Sequence, residues 1–165
     1  MKKIAAFLLF VCLSASAQTK NSIAVEGAIS KPFSVSFDEL KSFKQVGLDS
    51  LVILNHKKEY KSTLKKLKGV LLRDVLEKAD ISVNSPKFLS EYYLVVTADD
   101  GYKVVFSWNE IFNSPTGDKT LIVTEIDGKP SSSQKEGILL ITPTDKATGR
   151  RYVKNFSKVV IQKIQ

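Results

Sequence analysis

The sequence predicts a single α+β domain in which β-strands dominate. Short apolar runs recur along the chain and are separated by turns rich in Gly, Pro and Lys, which is the pattern of short strands. The dipeptide Asp100-Gly101 stands between two β-rich runs and is a strong hairpin signal. Because the connections are short, we expect mostly antiparallel or mixed sheets with a few short helices.

Alternation of apolar and polar residues predicts a strand over residues 22–29. Ser36, with Glu39 three residues further on, forms a capping box that favours a short helix, and Gly47 is expected to end it. Residues 50–55 again have the composition of a strand. The start of the domain is therefore predicted as strand, helix, strand.

A return strand is predicted at residues 59–63, and an amphipathic helix should begin just after Gly69. Its apolar residues recur at helical spacing: Leu72, Val75, Leu76 and Ala79. Residues 92–98 and 102–108 form the predicted hairpin, and the continuous apolar run 137–142 predicts a central strand buried on both faces. Ser107 and Glu110 form a second capping box that predicts a short helix at residues 108–112. The remaining predicted elements are strands at residues 120–125 and 158–163.

The chain begins with a segment typical of a secretory signal peptide. Lys2 and Lys3 supply positive charge, residues 4–13 are apolar, and small residues follow at the cleavage positions. An apolar run this short cannot comfortably span a bilayer. We therefore expect a signal peptide at residues 1–17, a domain at residues 18–165, no membrane span, and a periplasmic or secreted location.

The composition excludes several kinds of chemistry. The chain has 165 residues and a formal net charge of +8, and its one cysteine, Cys12, lies in the predicted leader. Processing would leave no thiol for disulfides, thiolate catalysis or metal binding, and one histidine, His56, cannot form a multi-histidine metal site. The lysines are scattered rather than interleaved with aromatic residues, so we expect no nucleic-acid binding.

A series of motifs follows in order along the chain. They are Gly27 and Pro32, FDEL, KGVLLRDVLEKADI, Asp100-Gly101-Tyr102, IDGKP, GILLITP and GRRYVKNFSKVVI. This order resembles the sulfite-oxidase-type molybdopterin-binding domain over about residues 22–161. The resemblance implies a compact, mostly β domain that holds a molybdenum–pterin cofactor, with the metal ligated by one cysteine between the early strand and the GVLL-type helix.

This chain departs from that pattern at the metal ligand. The matching span, Leu54–Gly69, contains no cysteine, and no other residue supplies an equivalent soft anionic sulfur. The resemblance also implies that the segment GRRYVKN holds the anionic part of the cofactor, here through Arg150, Arg151 and Lys154. Asn155 stands where the family has an aromatic residue directly after the lysine. A molybdopterin-type cofactor is therefore possible by resemblance alone.

The best candidate binding site is the loop between the last two predicted strands. Hydroxyl groups and cations alternate there around a glycine that permits close backbone approach, a combination suited to phosphate or carboxylate. The candidate residues are Thr142, Thr144, Lys146, Thr148, Arg150, Arg151 and Lys154. A solvated turn is the alternative, because Thr, Asp, Lys and Gly are ordinary turn residues.

Four further features have structural interpretations beside functional ones. Trp108 and its neighbouring phenylalanines could line a ligand pocket, but such aromatics usually belong to the core. The adjacent acids before Gly101 suit a hairpin turn better than a catalytic carboxylate pair, and His56 suits a solvated turn better than a metal site. The lysine-rich run 57–68 could meet anionic lipid or polysaccharide, or protect a strand edge.

Three hypotheses about function follow. The first is an exported, non-catalytic binding domain that holds an anionic, pterin-like small molecule or a protein partner. The second is a molybdopterin-dependent oxidoreductase, or a subunit of one, that works despite the missing cysteine. The third is an accessory protein of the cell envelope that acts through its surface.

Overall fold

The computed structural model describes residues 21–165, and the predicted leader lies outside them. Strands predominate, as expected for the predicted α+β class. The strands are β1 Ser22–Gly27, β2 Phe33–Ser36, β3 Val46–Leu54, β4 Tyr60–Leu71, β5 Tyr92–Ala98, β6 Lys103–Ser107, β7 Leu121–Ile126, β8 Lys129–Pro130, β9 Leu139–Ile141 and β10 Phe156–Lys163. The helices are α1 Phe37–Leu40, α2 Leu72–Leu76 and α3 Trp108–Phe112, with short 3₁₀ helices at Pro86–Glu91, Ser131–Ser133 and Thr148–Arg151.

The first sheet has the strand order β2-β1-β10-β5-β6. Its neighbours pair antiparallel except β1 and β10, which run parallel, with Ala24 opposite Lys158. The β5–β6 hairpin turns at Gly101, whose φ of +85° is a conformation that glycine adopts at little cost. The Asp-Gly hairpin predicted from the sequence is confirmed.

The second sheet has the order β3-β4-β7-β8, and β9 pairs with β7. Strand β4 runs well beyond the rest of its sheet: Tyr60 already pairs with Leu54 of β3, whereas β7 joins it only from Leu67 onward. Residues 60–64 of β4 therefore pair with β3 alone in the two sheets.

Two apolar clusters are joined through β9. Ile138 and Leu140 pack in the larger cluster beneath the first sheet, whereas Leu139 and Ile141 pack in the smaller cluster of the second sheet. All three residues of β9 are buried, so the predicted burial on both faces is confirmed. Because alternate side chains of one short strand enter different clusters, β9 connects the two halves of the interior.

Two predicted element boundaries are wrong. Gly47 does not end a helix, because α1 already ends at Leu40 and Gly47 pairs with Lys68 inside β3. Gly69 does not precede a helix directly, because it lies within β4 opposite Val123, at a register shift. A Cβ atom at Gly69 would come within 2.1 Å of a β7 backbone oxygen, so the glycine permits close strand approach.

Both predicted helix starts after a serine are present. Ser36 accepts a hydrogen bond from the backbone N–H of Glu39, and the Glu39 carboxylate accepts one from the N–H of Ser36. This hydrogen bond lowers the pKa of Glu39. Trp108 in α3 is buried and stacks on Phe112 with ring centroids 4.1 Å apart, so the interpretation as core is confirmed. Among the described residues, no helix has the length and apolar character needed to cross a bilayer.

Candidate functional site

The candidate loop, residues 142–154, lies between β9 and β10. Thr142 at its start is fully buried, and its hydroxyl has no hydrogen-bond partner among the described residues. A side chain that is 0% exposed cannot reach a ligand on the surface without rearrangement of the loop. Thr142 was predicted together with the other hydroxyl residues of the loop because the sequence alone does not distinguish a buried threonine from an exposed one.

Thr148 is held against the end of β3. Its hydroxyl donates to the Val52 carbonyl at 2.7 Å and accepts from the Leu54 backbone N–H at 2.9 Å. The neighbouring Gly149 lies so close that an added Cβ would sit 2.7 Å from the Leu54 carbonyl oxygen. The 3₁₀ helix Thr148–Arg151 thus satisfies backbone groups on the outer edge of β3, which would otherwise lack partners.

Arg151 is engaged by two carboxylates. Its Nε and one terminal nitrogen donate to Asp145 at 2.8 and 2.5 Å, and its other terminal nitrogen donates to Glu110 at 2.6 Å. The guanidinium also lies 4.3 Å from the ring centroid of Phe106. The pKa of Arg151 is raised above its usual value, mainly by the hydrogen bonds to Asp145 and to a smaller extent by the hydrogen bond to Glu110. These internal carboxylates already occupy the guanidinium donors that an external anion would need.

Among the other candidate side chains, Lys154 and Thr144 have polar partners within residues 21–165, whereas Lys146 has no acidic partner there. Lys154 forms an ion pair with Glu136, and its ammonium lies 5.2 Å from the Tyr152 ring. Thr144 is exposed, and its hydroxyl donates to the Thr116 hydroxyl at 3.2 Å. Lys146 is exposed and makes no side-chain contact with an acidic residue within the described part of the chain.

Arg150 lines an open depression of about 270 Å³. The lining residues are Asn55, His56, Tyr102, Gly149 and Arg150. The Tyr102 hydroxyl donates to the Arg150 carbonyl at 2.5 Å, which joins the β5–β6 hairpin to the candidate loop. The Arg150 guanidinium itself has no hydrogen bond or ion pair with any of residues 21–165, so its donors remain available.

Two residues that shape this region, Glu110 and Asp145, were not predicted from the sequence to hold Arg151. Glu110 was predicted to complete a capping box, but only the Ser107 half forms, and its carboxylate binds Arg151 instead. Asp145 was interpreted as a turn residue, yet it holds Arg151 through two hydrogen bonds. A carboxylate six residues before an arginine fits neither the helical spacing nor the strand spacing at which side chains contact one another. The Asp145–Arg151 pair therefore becomes evident only from the conformation of the loop.

The described residues do not fit a molybdenum–pterin cofactor. The span that the resemblance assigns to the metal-ligating cysteine forms the β3–β4 hairpin, and residues 21–165 contain no cysteine to supply a thiolate. No group of three or more His, Cys, Asp or Glu side chains comes together in that same part of the chain. Two of the three matched cations, Arg151 and Lys154, already pair with carboxylates.

No family model matches the chain, and no curated protein sequence matches it at a significant level. Solved structures do match. One is the sulfane dehydrogenase SoxCD from Paracoccus pantotrophus, with a TM-score of 0.61 and 14% sequence identity. The match covers 86% of this chain and 38% of that chain, so the chain spans well under half of its neighbour's length. At 14% identity this likeness concerns the fold alone, and it agrees with the predicted sulfite-oxidase-like fold.

Proposed function

We propose that this chain is an exported, non-catalytic binding domain that takes an anionic small molecule in the depression beside Arg150. The observation that supports the proposal is the unengaged guanidinium of Arg150 at a concave surface. A planar fork of N–H donors suits the two oxygens of a phosphate or carboxylate.

The residues around the depression add to this support. His56 and the two lysines after it form the β3–β4 turn, and Gly149 also lines the depression. Neither nearby acid forms an ion pair with these cations within residues 21–165: Glu59 accepts from the Asn55 side-chain amide at 2.7 Å, and Asp100 accepts from the Tyr102 N–H at 2.9 Å. Positive charge therefore remains available where the surface is concave.

The size of the depression limits the ligand. At about 270 Å³ it lies just under the range of roughly 300–1,000 Å³ that is usual for drug-sized ligands. It is also open and mostly polar, which suits a small oxyanion or the anionic end of a larger molecule. We therefore propose recognition of a phosphate-like or carboxylate-like group rather than enclosure of a whole cofactor.

Titration of the isotopically labelled full chain with inorganic phosphate, followed by NMR, tests the proposal. Backbone signals of His56, Tyr102, Gly149 and Arg150 should shift together and saturate, with a Kd of about 1 mM or below. Arg150→Met should weaken binding about tenfold or more, because a charge-assisted bidentate contact contributes roughly 1.5–3 kcal/mol.

Lys119→Met provides the matched control, because it removes one exposed positive charge from a different loop. It should leave phosphate affinity within about twofold, because Lys119 does not line the depression and an isolated exposed charge contributes little to binding elsewhere on the surface. Absence of saturable shifts at the four residues would refute the proposed site. Molybdenum near one equivalent in protein purified from its native host would instead refute the non-catalytic assignment.

A further inference from the structure

The turn of the β3–β4 hairpin lines the proposed anion site, and the positive charge of the hairpin extends along β4 beyond that site. We define the basic hairpin as residues 50–66, which form the end of β3, the turn and the first part of β4. Its lysines are Lys57, Lys58, Lys61, Lys65 and Lys66, and its one acidic residue is Glu59. All five lysines are exposed.

None of these five lysines forms an ion pair within residues 21–165. Lys68, which follows the hairpin, differs from them because its ammonium pairs with Glu125 on β7 at 3.3 Å. The carboxylate of Glu59 accepts a hydrogen bond from the Asn55 amide and not from a lysine. The basic hairpin therefore presents uncompensated charge to its surroundings, concentrated at one end of the second sheet.

Exposed apolar surface lies among these charges. Tyr60 is 66% exposed and Val52 is 44% exposed, which is unusual for large apolar side chains in this chain. Val52 pairs with Thr63 across the hairpin, and the Thr63 hydroxyl lies 3.4 Å from the Tyr60 hydroxyl, so the three residues share one face. A tyrosine with one apolar and one polar end suits a boundary between water and an apolar phase.

The hairpin also extends beyond its sheet. Residues 60–64 of β4 pair with β3 alone, because β7 joins β4 only from Leu67. The lysine protection of a strand edge that the sequence analysis considered accounts for lysines on this free side of β4. It does not account for Lys57 and Lys58 in the turn, or for the exposed Tyr60.

We propose that the basic hairpin docks on an anionic lipid surface. Lysines on flexible stems with no fixed partner suit a surface whose charges can move laterally, and each lysine near such a surface strengthens binding about fivefold. Lysine is depleted in interfaces between folded proteins, which require fixed complementarity, so an acidic protein fits these observations less well. Tyr60 and Val52 contact the headgroup region once the lysines have brought the hairpin close.

Co-sedimentation of the full chain with lipid vesicles tests this inference. Vesicles of phosphatidylcholine with about one third phosphatidylglycerol should bind the protein at about 0.05 M salt, and binding should weaken strongly at about 0.5 M. The triple variant Lys57→Gln, Lys61→Gln, Lys65→Gln should bind on the order of 100-fold more weakly. Residues 1–20 are common to all variants, so differences between variants report on the hairpin.

The matched control is Lys31→Gln, Lys87→Gln, Lys103→Gln, which removes three exposed lysines outside the hairpin. It should retain binding within a few-fold, and far-UV circular dichroism should show that both triple variants are folded. Equal binding to pure phosphatidylcholine vesicles, or equal losses in both triple variants, would overturn the inference. So would capture by a soluble acidic polymer with no binding to vesicles.

Arg150→Met separates this inference from the proposed anion site. The variant should still bind anionic vesicles, because Arg150 lies in the depression and not in the basic hairpin. Loss of vesicle binding in Arg150→Met, with retention in the hairpin triple variant, would assign lipid phosphate to the depression and overturn the hairpin's role. If the phosphate titration fails while the hairpin triple variant loses vesicle binding as expected, the proposed anion site is refuted and the role of the basic hairpin stands.

Discussion

Two adjacent arginines of the candidate loop have opposite environments. Arg151 is hydrogen-bonded to Asp145 and Glu110 and lies against the Phe106 ring, whereas the Arg150 side chain lacks a partner within residues 21–165. Their order in GRRYVKN does not indicate which arginine pairs with carboxylates and which remains unpaired. The 3₁₀ helix turns one side chain toward α3 and the other toward solvent, so the two positions have different roles.

Arg151→Met should lower the free energy of unfolding by about 2–3 kcal/mol, because two partly buried carboxylates lose their charged partner. Arg150→Met should change it by less than about 0.5 kcal/mol, since the side chain is exposed and unpaired. Urea denaturation followed by circular dichroism measures both values. Equal stability losses in the two variants would contradict the assignment of Arg151 to structure and Arg150 to binding.

At the scale of elements, the 3₁₀ helix Thr148–Arg151 covers the end of β3. Its main contact is the Thr148 hydroxyl, which donates to the Val52 carbonyl and accepts from the Leu54 N–H. The sequence predicted Thr148 as part of an anion site because hydroxyls and cations stand together in the loop. Its actual partners are 96 and 94 residues away in the chain, which local patterns cannot reveal.

Thr148→Val keeps the shape of the side chain and removes the hydroxyl. It should lower the free energy of unfolding by about 1–3 kcal/mol, because two backbone groups lose their partner. Thr144→Val is the matched control, since its exposed hydroxyl bonds only to Thr116, and it should cost less than about 0.5 kcal/mol. Hydrogen exchange should be faster at Leu54 in Thr148→Val alone; unchanged protection there would contradict the edge-covering role.

At the scale of the whole molecule, β9 joins the two apolar clusters. Leu140 packs in the larger cluster and Leu139 in the smaller one, although the two residues are adjacent. The clusters should therefore unfold together rather than in separate steps, because neither can lose β9 without disturbing the other.

Leu139→Ala and Leu140→Ala should each lower the free energy of unfolding by about 2–5 kcal/mol. Trp108 lies in the larger cluster and reports on it by fluorescence, while circular dichroism reports on all strands. In Leu139→Ala both signals should shift to the same lower denaturant midpoint. A Trp108 transition that keeps its original midpoint would contradict a single cooperative unit. Val105→Ala, at a 56% exposed site, is the control and should have little effect.

Local pattern alone determined much of this protein. Strand periodicity, the Asp100-Gly101 turn and the serine caps at Ser36 and Ser107 depend on residues a few positions apart, so the sequence predicts them without knowledge of the fold. The order of motifs likewise indicated a sulfite-oxidase-like fold. The same local reasoning misplaced Gly47 and Gly69, because strand pairing with distant partners extended β3 and β4 over segments that resemble turns or helix starts.

Only the tertiary structure decided which polar side chains are available to a ligand. It buried Thr142, paired Arg151 with carboxylates from two segments, attached Thr148 to β3 and left Arg150 facing a depression. It also made β1 and β10 parallel, which short connections do not predict. The physical reason is that burial and ion pairing depend on neighbours brought together from distant parts of the chain, and such neighbours leave no mark on local sequence spacing.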